Sequence, residues 1–213
     1  MITLYDYLPS QNAYKVRLLL SHLQRPYRTE IISIFEGEGQ APDYLAINPA
    51  GAVPAIRLDD GRVIAESNAI LFFLADGTSY LPEDRFARAK VLQWLSFEGD
   101  TVQPTIATLR HWTMTGKRAR RPAALVEGKR EGSLKALAIL DRELSQRAYL
   151  AGPAYSIADI GVFAYVHRAE EADLPLQGFP NVVAWIDRVR SQPGFLAETF
   201  PYSIDPHSVK ELP

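Results

Sequence analysis

The chain contains no cysteine and carries little net charge. Without cysteine it can form no disulfide bond, no thiolate metal site and no protein thiol nucleophile. Its 23 basic residues stand against 25 acidic ones and give a net charge of −2. That balance lacks the positive excess of a nucleic-acid-binding protein. We therefore predict no nucleic-acid partner.

Long apolar runs are also missing. The densest, residues 69–75, is far shorter than the roughly 20 residues that a membrane-spanning helix needs. The chain starts with a strand pattern and shows no basic segment followed by an apolar core, the mark of a secretory signal. We therefore predict no membrane association and a cytoplasmic location. No metal site is predicted, because ligand spacing is absent among the histidines, which are His22, His111, His167 and His207.

The first 76 residues predict a small α/β domain. Alternating or β-branched apolar residues indicate strands, three- and four-residue apolar steps indicate helices, and Asp60-Gly61 indicates a hairpin. The predicted strands are 2–5, 28–33, 55–58 and 63–65, and the predicted helices are 12–23, 42–47 and 67–76. The order is β-α-β, a short helix, then β-β-α.

Residues 77–83 predict a linker, and residues 84–213 predict an all-helical domain. Pro104 lies inside the first helical pattern of this domain and predicts a kink, because proline removes one helical hydrogen bond. Ser156 and Asp159 have the spacing of a capping box at the start of a strongly apolar helix. Asp159 is therefore interpreted as a folding signal and not as a catalytic acid.

Two short segments carry the functional information. In residues 48–54, Pro54 precedes an apolar strand and predicts a bend or a cis Val53-Pro54 bond that turns the Val53 backbone outward. An extended peptide could pair with those groups like an added strand. Glu66 and Ser67 stand at the start of the next helix, where free N–H groups and the helix dipole favour a carboxylate. The pair predicts a receptor for a small acidic peptide, although each segment alone also occurs in proteins that bind nothing.

The ordered set of motifs resembles the glutathione transferase family over almost the whole chain. The matching segments are 14–17, 48–56, 66–70, 155–160 and 192–195. Phe97-Glu98 and Pro104 are most similar to the bacterial, serine-type members related to the theta and beta classes. The resemblance implies a thioredoxin-like N-terminal domain, an all-α C-terminal domain and a symmetric homodimer. It also implies glutathione as cosubstrate and no permanently bound cofactor.

The resemblance also implies a role for individual residues. Val53 pairs its backbone with the cysteinyl unit of glutathione, Glu66 and Ser67 hold the γ-glutamyl end, and Gln40 and Pro54 complete the binding set. Ser10 matches the catalytic serine, with Asn12 as a second donor to the sulfur. Two alternatives stay open: Ser10 only caps the first helix, or Tyr5 activates the thiol.

The second substrate, a small hydrophobic electrophile, is expected against walls that include Tyr14, Phe97, Arg110 and Trp112. The chain departs from the family where Ala52 replaces a lysine or glutamine, Gln40 an arginine or histidine, and Gly99 and Gln103 a glutamine and a glutamate. The first functional hypothesis is conjugation of the glutathione thiolate to that electrophile. The alternatives are glutathione-dependent disulfide reduction and a non-catalytic binding module with weak glutathione affinity.

Overall fold

The computed structural model describes residues 1–212, which form two compact units. The first unit comprises residues 1–74 together with the chain from Pro193 onward, and the second comprises residues 75–192. The strands and helices of the first unit follow the predicted order. The first unit contains β1 (Ile2–Asp6), α1 (Gln11–His22), β2 (Tyr27–Ile31), α2 (Pro42–Leu45), β3 (Ala55–Arg57), β4 (Val63–Ala65) and α3 (Ser67–Ala75, whose last residue belongs to the second unit).

The sheet of the first unit has the strand order β2-β1-β3-β4. β1 is buried along its whole length and pairs in parallel with β2, because α1 carries the chain back over the sheet. β3 pairs antiparallel with both β1 and β4. The predicted hairpin joins β3 to β4, and Gly61 adopts the positive φ of 85° that its turn requires. A thioredoxin-like domain is confirmed.

Residues 193–212 pack on the first unit, whereas the sequence pattern predicts them to be part of the helical domain. The reason lies in three hydrogen bonds from polar side chains of α1 to carbonyl oxygens of this C-terminal segment. Tyr14 Oη donates to Leu196 O over 2.6 Å, Ser21 Oγ donates to Gly194 O over 2.8 Å, and His22 Nδ1 lies 2.8 Å from Pro193 O. Burial lowers the pKa of His22, so the neutral imidazole with a proton on Nδ1 suits this contact.

The second unit is all-helical. Its helices are α4 (Arg85–Phe97), α5 (Thr108–Met114), α6 (Ala123–Leu144), α7 (Ile157–Val166) and α8 (Pro180–Arg190). A π-helical stretch, Glu98–Ala107, joins α4 to α5 and contains Pro104, so the wider turn accommodates the proline that predicted a kink. Every residue of α7 is buried. Within residues 1–212 no helix combines the length and apolarity needed to cross a bilayer.

Candidate functional site

Ser10 caps the N-terminus of α1. Its Oγ accepts a hydrogen bond from Ala13 N at 3.3 Å, and its own N–H donates to Tyr7 O at 2.7 Å. The side chain is half-buried, and the first turn of α1 contains no acidic residue. In the described part of the chain, no acceptor receives the Ser10 hydroxyl proton. The hydroxyl can therefore cap the helix with a lone pair and still donate to an anion at the positive end of α1.

Two side-chain hydrogen bonds fix the turn that precedes β3. Buried Asn48 donates from Nδ2 to Ala52 O at 2.7 Å, and Tyr44 Oη donates to the same oxygen at 2.6 Å. The Val53-Pro54 bond is cis, as one of the two sequence hypotheses had it. Neither the N–H nor the C=O of Val53 has a hydrogen-bond partner within residues 1–212. The turn thus presents one unpaired donor and one unpaired acceptor on a fixed backbone.

Gln40 lies against this turn. Gly51 has a φ of 65°, and a Cβ built there would overlap the Gln40 side-chain amide and the Gly39 carbonyl. A glycine at 51 is therefore required both by the left-handed backbone and by the close approach of the neighbouring segment. The Gln40 amide is exposed beside the turn. Ala52, where relatives were expected to carry a long polar side chain, is also exposed.

Glu66 and Ser67 form the corner between β4 and α3. Glu66 is exposed and has a φ of 67°, a left-handed conformation that few non-glycine residues adopt. It nevertheless starts the helix, because its carbonyl accepts from Ile70 N at 2.9 Å. Such outliers concentrate at ligand-binding positions, where the surrounding structure maintains them. Glu66 is exposed at this corner, whereas Ser67 is buried at the helix start.

The starts of α1 and α3 meet at a polar contact between Asn12 and Ser67. Ser67 Oγ lies 3.5 Å from Asn12 Oδ1 and accepts a hydrogen bond from Lys15 Nζ at 3.2 Å. Lys15 Nζ also lies 3.4 Å from Asn68 Oδ1, and the lysine has no exposed surface. The structure therefore brings the two predicted site residues Asn12 and Ser67 into direct contact, and it adds Lys15, which the sequence analysis does not assign to the site, on the α3 side of that contact. The one signal for Lys15 was a lysine between the apolar residues Tyr14 and Val16 on a buried helix.

The tyrosines at the end of β1 are engaged elsewhere. Tyr5, the alternative thiol-activating residue, is buried, and its hydroxyl accepts from Arg57 Nε at 2.9 Å. Tyr7 donates its proton to Asp205 Oδ2 at 2.8 Å, and burial together with this bond raises the pKa of Tyr7 far above its usual value. Of these three hydroxyls, Tyr5 is buried and Tyr7 donates its proton, whereas Ser10 is half-buried at the start of α1 and its proton is undonated among the described residues.

Two of the four residues expected to contact the electrophile have almost no surface for a ligand. Tyr14 is fully buried, with its hydroxyl committed to the Leu196 carbonyl. Arg110 is 1% exposed, and its Nε donates to Glu171 Oε2 at 2.6 Å. Their polar groups are committed to residues of their own units, so neither side chain offers a surface to an electrophile.

The other two expected wall residues, both in the second unit, keep part of their surface. Phe97 is half-buried and packs edge to face against Trp94 with ring centroids 5.3 Å apart. Trp112 is half-buried under the guanidinium of Arg121, which lies 5.1 Å from its ring centroid. Both rings are ordered by neighbours in the same unit, and their role toward an electrophile stays a prediction.

The chain belongs to the glutathione S-transferase family. Its residues 9–76 match the model of the glutathione S-transferase N-terminal domain, and residues 102–193 match that of the C-terminal domain. The structure is similar to a crystal structure of a glutathione S-transferase from Pseudomonas fluorescens, with 38% identity and a TM-score of 0.87. That match covers 92% of this chain and 97% of the other.

Two further relatives are informative. The disulfide-bond oxidoreductase YfcG of Escherichia coli is 30% identical over 200 residues, which cover 91% of this chain and 92% of the relative. A glutathione transferase from Burkholderia graminis, whose crystal structure holds two glutathione molecules per subunit, is 27% identical with a TM-score of 0.78. That match covers 91% of this chain and 85% of the other. The family and the two-domain fold expected from the motifs are thereby confirmed.

Proposed function

We propose that the protein is a serine-type glutathione transferase that conjugates the glutathione thiolate to a small hydrophobic electrophile. The observation that carries this proposal is the meeting of the α1 and α3 starts, where Asn12 and Ser67 lie 3.5 Å apart. The segment that begins α1 and the segment that begins α3 thus meet at one polar contact within the first unit. In the same unit, the Ser10 hydroxyl proton is undonated and the Val53 N–H and C=O are unpaired among residues 1–212.

Each part of glutathione has a chemically suitable counterpart. The Val53 N–H and C=O pair with the cysteinyl backbone, as in an added β-strand. The Glu66 carboxylate holds the γ-glutamyl ammonium, and the α3 start at Ser67 holds the γ-glutamyl carboxylate. Buried Lys15, 3.2 Å from Ser67 Oγ, adds positive charge behind that carboxylate. Pro54 fixes the turn, and the exposed Gln40 amide completes the binding set.

The chemistry needs a thiolate and no protein thiol. A free thiol with a pKa near 8.5 is only a few per cent ionised at neutral pH. Lowering that pKa by about two units requires roughly 2.7 kcal/mol in favour of the anion. A hydrogen bond from Ser10 to the charged sulfur contributes about 1.5–3 kcal/mol, and the α1 terminus adds about 0.3–1 kcal/mol. The thiolate then attacks the electrophilic carbon, the C–S bond forms, the leaving group departs with its electron pair, and the thiol proton passes to solvent.

Calorimetric titration with glutathione tests the binding step. We expect a dissociation constant below about 1 mM for the wild-type protein and weaker binding for Ser67→Ala. Ser21→Ala serves as a matched control, because Ser21 donates to Gly194 O on another part of α1. Absence of heat with wild-type protein up to several millimolar would favour the non-catalytic module instead.

A second candidate is glutathione-dependent disulfide reduction, which the similarity to a disulfide-bond oxidoreductase favours. The first glutathione thiolate would attack a disulfide to form a mixed disulfide and release one thiol. A second glutathione would attack that mixed disulfide, giving oxidised glutathione and the second thiol. Two glutathione molecules are consumed, in line with the two molecules that the similar transferase from Burkholderia graminis binds. Parallel assays with 4-nitrobenzyl chloride and bis(2-hydroxyethyl) disulfide separate the two activities.

We also propose that the protein acts as a symmetric homodimer. α3 and α4 each present an exposed phenylalanine, Phe73 at 41% and Phe86 at 75% exposure. Aromatic residues are enriched at protein interfaces relative to the rest of the surface. Analytical ultracentrifugation of wild type and Phe86→Asp tests this assembly. A wild-type monomer would contradict it.

A further inference from the structure

A cavity of about 320 Å³ lies in the first unit, closed on one side by the C-terminal segment. Leu8 and Pro9, the two residues before Ser10, form part of its wall, and Ile204 and Asp205 of the C-terminal segment form another part. This volume is at the lower end of the range for small-molecule sites and suits one substituted aromatic ring. The cavity therefore adjoins the same loop that presents the Ser10 hydroxyl.

The wall of this cavity combines apolar surface with acidic groups. Ile31 and Ile204 both line it, and both are 50% exposed, which is unusual for isoleucine. Glu36 and Asp205 bring two negative charges, and His207 brings at most one positive charge. No lysine or arginine lines the cavity among residues 1–212. Its net charge is therefore negative in either protonation state of the imidazole.

The acidic groups are held in place by contacts within the unit. Asp205 accepts a hydrogen bond from the Tyr7 hydroxyl at 2.8 Å through one carboxylate oxygen and from the backbone N–H of His207 at 2.8 Å through the other. Glu36 Oε1 lies 3.0 Å from His207 Nε2. The C-terminal segment is thus fixed against β1 and the turn after β2, so the cavity is preformed and its charges are ordered.

We propose that this cavity binds the second substrate and selects small aromatic electrophiles that are neutral or cationic over anionic ones. The proposal rests on the proposed transferase function and adds the charge class of the electrophile. Glu36 and Asp205 are the specificity-determining residues, because a negatively charged substituent in the cavity meets two carboxylates at short range. Ile31 and Ile204 supply the apolar contact for the ring.

Three para-substituted benzyl chlorides, one neutral, one cationic and one anionic, test this selectivity. They carry a para methyl, a para trimethylammoniomethyl or a para carboxymethyl group, and the thiolate displaces chloride from each. kcat/KM is measured at saturating glutathione and divided by the uncatalysed rate with glutathione at the same pH, which removes differences in intrinsic reactivity. For wild type we expect the cationic compound to exceed the anionic one by about tenfold in this ratio.

Charge-neutral variants assign the effect to the two carboxylates. We expect Glu36→Gln and Asp205→Asn each to reduce the cation-to-anion ratio by about threefold and the double variant to bring it near one. Asparagine keeps one acceptor oxygen for the His207 backbone N–H, and its amide nitrogen can donate to the Tyr7 hydroxyl oxygen in place of the second carboxylate oxygen. Glu36 is exposed, so we expect both variants to fold. Asp43→Asn, an exposed acidic residue outside the cavity wall, is the matched control and should leave the ratio unchanged.

Two results would overturn the inference: a wild-type ratio near one, or a ratio that the double variant does not change. Calorimetry with glutathione on the same preparations distinguishes the cause. Retained glutathione binding with either of those ratios would reject only the charge selectivity. Loss of glutathione binding in wild type would reject the proposed function together with this inference.

Discussion

Two helices in this molecule begin with a serine cap, and the two caps differ in what they leave unpaired. Ser156 at α7 is buried, accepts from Ala158 N at 3.3 Å and lies 3.3 Å from Asp159 Oδ2, which also accepts the Ser156 N–H at 3.0 Å. Ser10 at α1 is half-buried, accepts from Ala13 N and has no reciprocal carboxylate. One cap satisfies its own donors and acceptors, and the other leaves a hydroxyl proton available.

From this difference we infer a folding role for the Ser156 cap and propose a chemical role for the Ser10 cap. Asp159 accepts from Leu150 N and Trp185 Nε1, each at 2.9 Å, so the α7 cap ties together three segments of the second unit. A closed network of this kind stabilises one conformation and offers nothing to a ligand. An incomplete cap at a positive helix end offers both a donor and a favourable potential to an anion.

The largest expected effect is the loss of stability when the closed cap, formed by Ser156 and Asp159 at α7, is broken. Asp159→Ala should lower the free energy of unfolding by about 3–4 kcal/mol, because it leaves several buried donors unsatisfied. Urea denaturation followed by circular dichroism measures this loss. Asp173→Ala is the matched control: Asp173 forms a surface ion pair with Arg118, and its removal should cost less than about 1 kcal/mol. A loss of that size for Asp159→Ala as well would contradict a structural role for the cap.

The next effect concerns the open cap, Ser10 at the start of α1, and is expected on turnover. Ser10→Ala should lower kcat by about 30–100-fold with little change in the KM for glutathione, because the donor acts mainly on the thiolate. Ser10→Thr retains the hydroxyl and should recover most of the activity. Ser156→Ala should leave kcat unchanged and reduce stability by about 1–2 kcal/mol. Equal kcat values for wild type and Ser10→Ala would mean that Ser10 only caps the helix.

Local patterns predicted the closed cap completely and the open one only in part. The serine and aspartate three residues apart specify a capping box, and the structure contains both of its hydrogen bonds. The strand and helix order followed equally from periodicity and from the Asp60-Gly61 turn. These features depend on residues that are close in sequence, so a single chain suffices to predict them.

Long-range contacts explain what the sequence did not predict. The C-terminal segment binds α1 through its own carbonyl oxygens, which every residue possesses, so no motif marks it. Its short turns, Tyr202–Ile204 and Pro206–Val209, have no apolar periodicity. Lys15 is buried only because Ser67 and Asn68 of α3 meet it, and a lysine on a helix is ordinarily exposed.

A smaller effect is expected from Lys15, which links the open cap to α3. Lys15→Met preserves the length of the side chain and removes the charge behind the proposed γ-glutamyl carboxylate. We expect the KM for glutathione to rise by about tenfold while kcat changes less than threefold. Initial-rate kinetics provide the measurement, with exposed Lys135→Met as control. An unchanged KM would remove Lys15 from the binding site.

The last expected effect is on the pH dependence of stability, and it involves Asp159 of the closed cap and the buried His167. Burial raises the pKa of Asp159 to about 6 despite its hydrogen bonds. Burial also lowers the pKa of His167 to about 3, where the ring stacks on Phe163 at 4.2 Å and Nδ1 lies 2.7 Å from the Phe163 carbonyl. A raised folded-state pKa contributes stability at low pH that is lost as the pH rises from about 4 to 6. A lowered one contributes stability at high pH that is lost as the pH falls from about 6.5 to 3.

Removing either group should therefore change how the free energy of unfolding depends on pH, and the two changes should have opposite signs. Relative to wild type, His167→Asn should become progressively less stable as the pH rises from 4 to 6. The reason is that the wild-type protein gains stability over this interval from the lowered pKa of His167, and the variant does not. Asp159→Asn should show the reverse trend over the same interval, although its stability is lower at every pH. Each trend should reach at most about 1.4 kcal/mol per pH unit, the limit for one proton. Denaturation curves at pH 4, 5 and 6 measure both, and parallel trends in the two variants would show that the cap and the buried imidazole do not titrate in this way.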